Sequence, residues 1–333
     1  MIMLISQSKG RYTGWAMLCA LVAVLTPWTL VHAGKTIQEL RAADPQGEVE
    51  IVNVSGLVEV SAWDRSEVEV RGTAGNSVDR VDVTGAGNRT SVHVVLSKAG
   101  RSWGTDNEAH LIVHVPAKST VTATLVSADF KVTGVLGNLK VQTVSGNVSG
   151  DAGGDIYATA VSGDIRLTAR AAKTIELKAI SGDIQLTGGG GEVDVTTVSG
   201  NASVDLADVS RGRFKSVSGD VTAALALMPD GQIDSESVSG DVGIKFATPP
   251  AAEFDVQSFS GNIKNCFGPK ATESTYGPGS RLEFKNGEGR AHVRVNTKSG
   301  DVRLCVKGAN NTHSSSLSLA RVDSSPMRLP YVY

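Results

Sequence analysis

Three sets of side chains in this 333-residue chain have types and spacings that could do chemistry. The first is a column of Asp and Asn that follows eight Ser-Gly pairs: Asn147, Asp164, Asp183, Asn201, Asp220, Asp241, Asn262 and Asp301. Carboxylates stacked along one corner of a repeat could hold calcium, a hard ion that takes six to eight oxygens. Three of the eight are neutral Asn, and the dense glycine-aspartate nonapeptide of calcium-binding β-rolls is missing. Turn closure by the Asp or Asn side chain is the ordinary reading. The second set is His110 and His114, four apart in an alternating run and so on one face of a strand. A metal site there needs a third ligand that the spacing does not supply, and with His93 and His292 they read as solvent-facing strand histidines. The third set is the repeated Ser of each Ser-Gly pair. It recurs with no dedicated base, and no GxSxG elbow, phosphate loop, HExxH or CxxC motif accompanies it. The sequence therefore assigns no catalytic residue, no cofactor and no metal ligand.

What these residues share is a repeat. The periodic Ser-Gly pairs begin at Ser145, Ser162, Ser181, Ser199, Ser218, Ser239, Ser260 and Ser299, with spacings of 17, 19, 18, 19, 21, 21 and 39 residues. Ser127-Ala128-Asp129 is a degenerate copy 18 residues before Ser145. Gly146, Gly163, Gly182, Gly200, Gly219, Gly240, Gly261 and Gly300, each followed by Asp or Asn, read as turns, because Gly tolerates positive φ. Apolar columns flank the turn. Three places after Ser stand Val148, Ile165, Ile184, Ala202, Val221, Val242, Ile263 and Val302. Five places after stand Leu167, Leu186, Val204 and Ile244; four places before stand Val141, Leu177, Val195, Phe214, Val256 and Val295. The residue just before Ser is almost always Val, Ile or Phe. Alternation at plus three and plus five is strand periodicity.

Each repeat is thus two short strands with one strict and one loose corner. It cannot fold alone: ordering its residues costs about 1–2 kcal/mol each, whereas about five buried side chains return only about 1.5–3 kcal/mol apiece. Repeats must stack, as in solenoids. The expected fold is all-β, a repetitive β-solenoid or β-roll with two short strands per rung and rungs about 4.8 Å apart. The rival is an antiparallel β-meander or sandwich, since Gly-Asp and Gly-Asn between strands also signal hairpins.

In chain order, residues 1–33 read as a cleavable signal peptide: Lys9 and Arg11, an apolar run Trp15 to Leu25, then Val31-His32-Ala33. Cys19 lies within the apolar run, which disfavours a lipoprotein anchor, and no later segment is suited to cross a membrane as a helix. Residues 34–126 read as a less regular β region capping the stack, 127–306 as the repeats, and 307–333 as a flexible tail. The stretch 262–298 breaks the period and could be an extra rung or an excursion. With the signal removed, Cys266 and Cys305 remain, each six places after its Ser. Equal phase on directly stacked rungs puts them one strand spacing apart, within disulfide range; an intervening rung or strand forbids the bond. A Cys266–Cys305 disulfide is expected.

The run 51–72 (IVNVSGLVEVSAWDRSEVEVRG), the strand HLIVHVP at 110–116 and the train of VSGD and VSGN repeats resemble the putative-adhesin family of bacterial envelope β-strand-repeat domains. That resemblance implies an extracytoplasmic, envelope-associated protein with a solenoid-like domain and no established catalysis. It supplies no functional residues to carry over. The expectation is an exported structural or interaction protein, periplasmic or at the cell surface, whose partner is an envelope protein or surface glycan. A formal charge of −2 argues against nucleic acid. The alternative is a carbohydrate-active lyase or hydrolase on a β-helix, an analogy of fold rather than of site.

Overall fold

The computed structural model describes residues 35–97, 107–273 and 278–308, so the expected signal peptide, residues 1–33, and all but the first two residues of the expected tail lie outside the described residues. Among the described residues, twenty-one strands form one continuous sheet that winds around an apolar interior. Each rung has two strands joined at a Ser-Gly corner and is named here by that serine. The Ser181 rung runs from Thr174–Ser181 through Gly182 and Asp183 into Ile184–Gly188. Both strands pair in parallel with the next rung, with Ser181 opposite Ser199 and Ile184 opposite Ala202. No ladder joins the two strands of one rung, which rules out the meander: the corner carries the chain to the opposite face of the stack.

Within a rung, positions −6, −4 and −2 before Ser and +3, +5 and +7 after it point inward. In the Ser162 rung these are Ile156, Ala158, Ala160, Ile165, Leu167 and Ala169, all buried. The apolar column at −1 does not join them. Positions −4 and −1 differ by an odd number, and an alternating strand sends them to opposite faces. The inward place nearest the corner is −2, held by small residues such as Thr143, Ala179, Ser216 and Ser258.

The corner glycines serve a second purpose beyond the one the sequence suggests. A Cβ on Gly163 would lie 2.1 Å from the carbonyl oxygen of Gly146, and one on Gly182 would lie 2.2 Å from that of Gly163. The same collision recurs up the stack to Gly300 against Gly240 and Gly261 against Gly300, both at 2.1 Å. Gly200, Gly219, Gly240 and Gly300 have the positive φ the sequence suggests, between 143° and 159°, whereas Gly146, Gly163, Gly182 and Gly261 do not, so at those four close approach of backbones alone excludes a side chain.

The Asp and Asn after each glycine likewise act between rungs instead of closing their own turn. The backbone N–H of Asp183 donates to Asp164 Oδ1 at 2.9 Å, and that of Asn201 donates to Asp183 Oδ1 at 2.8 Å. Asp220, Asp241, Asp301 and Asn262 continue the ladder, each bonded to the residue one rung away. An amide and a carboxylate both offer Oδ1, so the column mixes the two freely.

At both ends, spatial order departs from sequence order. The Ser299 rung is inserted between Ser239 and Ser260: Ala291–Ser299 pairs in parallel with Ser239's strand on one side and with Ala252–Ser260 on the other. The break in period thus marks a skipped level that the last rung returns to fill. The insert makes no rung; Thr272–Glu273 and Ser280–Asn286 form an antiparallel ribbon on the outer edge of Ala252–Ser260. The Ser260 and Ser299 rungs are direct neighbours, and Cys266 and Cys305 are disulfide-bonded with Cα atoms 4.9 Å apart. Phe254 and Phe284 stack at 4.5 Å beside Phe267, covering that end of the core. At the other end, Ser55-Gly56 within Lys35–Trp63 is a further corner opposite Ser127, and Val78–Leu96 and Ala109–Pro116 pair with the far side of the same strand.

Three variants test this construction. Gly182→Ala is expected to cost at least about 2 kcal/mol in denaturant unfolding, because it forces two rungs apart. Asp183→Ala should cost about 1 kcal/mol by removing one acceptor, whereas Asp183→Asn should be nearly neutral. Replacing Cys266 and Cys305 together by Ser should lower stability by about 2–4 kcal/mol, measured against the oxidised protein. An unchanged midpoint for the paired Ser variant would show that the crosslink does not hold the last rung.

Candidate surface site

The −1 residues, facing outward, form a stripe. Val126, Val144, Val161, Ile180, Val198, Val217 and Val238 stand one above another beside the Ser-Gly corner, each exposed; Val144 is 46% and Ile180 49% accessible. Beyond Val238 come Lys298, on the inserted rung, and Phe259, 69% accessible. From Val126 to Phe259 the stripe climbs eight levels, about 38 Å. Soluble proteins scatter exposed apolar side chains singly, and contiguous rows of this kind mark contact surfaces. The sequence held the signal in the parity of −1 and −4, since an odd offset in an alternating strand puts the two columns on opposite faces.

The upper end of the stripe deepens into a groove of about 860 Å³. Its floor carries Val198, Val217 and Val238, and Pro278, Gly279 and Arg281 of the edge ribbon form a wall. Charges beside it are mostly neutralised: Lys215 pairs with Glu236 at 2.9 Å, and Arg281 with Glu283, which raises the Arg281 pKa. The column two residues further from the corner is polar, with Thr196, Lys215, Glu236 and Gln257 along one rim.

The other residues singled out by type are held in structural contacts. The Asp and Asn oxygens of the corner ladder accept backbone N–H groups, so they are not converged on a common point. His110 is exposed near Glu108 at 3.4 Å, and His292 is exposed near Glu253 at 3.6 Å. His114 is half-buried: its Nδ1 bonds Ser61 Oγ at 2.7 Å and its ring stacks on Trp63 at 5.2 Å. Glu69, opposite His114 across the next strand, is bound by Arg71. This row crosses three adjacent strands, Lys35–Trp63, Ala109–Pro116 and Glu67–Ala74. Trp63 also lies under the Arg65 guanidinium, and Trp103 falls outside the described residues. Among the described residues there is no group of three or more His, Cys, Asp or Glu placed to hold a metal, and no helix is long and apolar enough to cross a membrane.

Comparison with known proteins gives one family. The profile of the Toastrack DUF4097 family matches residues 47–305. No curated protein matches the chain. Solved structures that resemble it include a putative cell adhesion protein from Clostridium sporogenes, 11% identical over 82% of this chain and 100% of that one, with a TM-score of 0.29. A putative adhesin from Bacteroides fragilis is 12% identical over 82% and 97% of the two chains, with a TM-score of 0.41. A putative lipid binding protein from Parabacteroides distasonis is 12% identical over 81% and 98%, with a TM-score of 0.31.

The ladder makes one pH dependence specific. The Asp183 backbone N–H, and secondarily Arg166, hold the Asp164 carboxyl below its ordinary value of 3.8. A depressed folded pKa gives stability that is complete above the ordinary value and lost as pH falls through the lower one. Asp164→Asn keeps the acceptor but not the charge. Melting curves should therefore show wild type above the variant at neutral pH and the gap closing below about pH 4. A gap independent of pH would place the difference elsewhere.

Proposed function

The chain belongs to the Toastrack DUF4097 family, and from that premise we propose that it is an exported, non-catalytic scaffold of the cell envelope. It presents one long apolar stripe to another envelope component. The stripe of −1 residues carries this reading, because it is an exposed apolar row repeated level after level on a rigid frame. A structural disulfide suits an oxidising compartment outside the cytoplasm, and the signal-like residues 1–33 agree with export. The mechanism is positional. Stacking holds the row straight without cost at the moment of binding, so a partner meets a preorganised surface.

Retention of the purified protein on isolated bacterial envelopes tests the proposal. Val144→Lys, Val161→Lys and Ile180→Lys, combined, should reduce co-sedimentation by about tenfold or more. The same charges placed on the opposite outward face by Thr168→Lys, Gln185→Lys and Ser203→Lys should leave it unchanged. Equal retention of the two triple variants, both with native melting temperatures, would remove the stripe from the contact.

A further inference from the structure

One level of the stripe breaks its own rule. Where every neighbour is Val, Ile or Phe, the inserted rung supplies Lys298, set between Val238 and Phe259. Lys298 has no ion-pair partner among the described residues, although Lys215 and Arg281 beside it are both paired. An uncompensated ammonium therefore stands in a groove whose apolar floor runs from Val238 through Val217 to Val198, with Phe259 on its other side and Glu273 lining the ribbon end. The groove volume, about 860 Å³, is within the range that encloses small ligands.

The floor discriminates between occupants. Its methyl groups repeat at about 4.8 Å, whereas an extended peptide along the same line presents side chains to one face every ~6.7 Å. A peptide would also lay backbone N–H and C=O groups over valines that cannot bond them. A hydrocarbon chain has neither problem. The three levels from Lys298 to Val198 span about 14 Å, the length of roughly a dozen methylenes. We propose that this groove binds a single-chain anionic amphiphile, a free long-chain carboxylate, with its head group on Lys298 Nζ and its hydrocarbon over Val238, Val217 and Val198. This rests on the stripe being a contact surface and assigns a ligand class to its upper end.

Calorimetric titration of the full chain with dodecanoate, below its micellar concentration, tests the assignment. One equivalent of dodecanoate should bind, with hexanoate and dodecyltrimethylammonium each about tenfold weaker or worse. Lys298→Glu should weaken dodecanoate about tenfold and favour the cationic amphiphile instead; Val217→Asp should weaken every long-chain probe. Absence of dodecanoate binding overturns the proposal, as does uptake of many equivalents or binding indifferent to Lys298→Glu. A dimer in sedimentation velocity that Val217→Asp converts to monomer would assign the groove to a second copy and equally overturn it. Loss of envelope retention in the Val144, Val161 and Ile180 variant, with no dodecanoate binding, would sink the ligand assignment and leave the scaffold reading standing.

Discussion

Everything in this molecule depends on how closely two backbones approach at one corner. Neighbouring rungs meet there so tightly that a β-carbon would stand 2.1–2.3 Å from a carbonyl oxygen over most of the column, from Gly163 to Gly300. Glycine is required for the same reason at each level from Gly146 onward, above Ala128 of the Ser127 level, and the contact is self-consistent: each glycine supplies the carbonyl that excludes a side chain from the next. The Asp and Asn ladder locks the spacing once it is reached, because each side chain reaches one rung and no further. Register is then propagated, and each outward position becomes a straight column.

Straight columns have open ends, and this fold handles both by leaving sequence order. An exposed last rung offers unpaired strand edges and an uncovered core. At one end the antiparallel ribbon Ser280–Asn286 and the Phe254, Phe267 and Phe284 cluster cover them, and the chain then returns to fill the level it skipped. The rung that completes the chain's repeats is therefore interior, flanked on both sides and linked through Cys305 to Cys266. Inserting it between two existing levels is a non-local event, unlike the neighbour-on-neighbour growth of the rest of the stack.

The surface follows from the same regularity. In an irregular fold an exposed Val is an isolated accident; here it is multiplied by the repeat into a row with defined direction. The inserted rung places its one different residue, Lys298, inside that row. Architecture and exposed apolar stripe are thus one pattern viewed from opposite faces of the sheet.

Much of this was legible in the chain itself. The period, the two strands per rung and the paired phase of Cys266 and Cys305 are local regularities that survive in the order of letters. So is the identity of the corner residues, though not their purpose. Two kinds of fact were decided only in three dimensions. The collision that demands glycine is with a residue 17 to 60 positions away, so the turn preference, which Gly200, Gly219, Gly240 and Gly300 bear out through a positive φ, was only the local part of the explanation. The spatial order of the last rungs, and the direction faced by the −1 column, depend on which strands become neighbours. An apolar letter has the same hydrophobicity on either face, and only closure of the stack around one interior determines which side is inside.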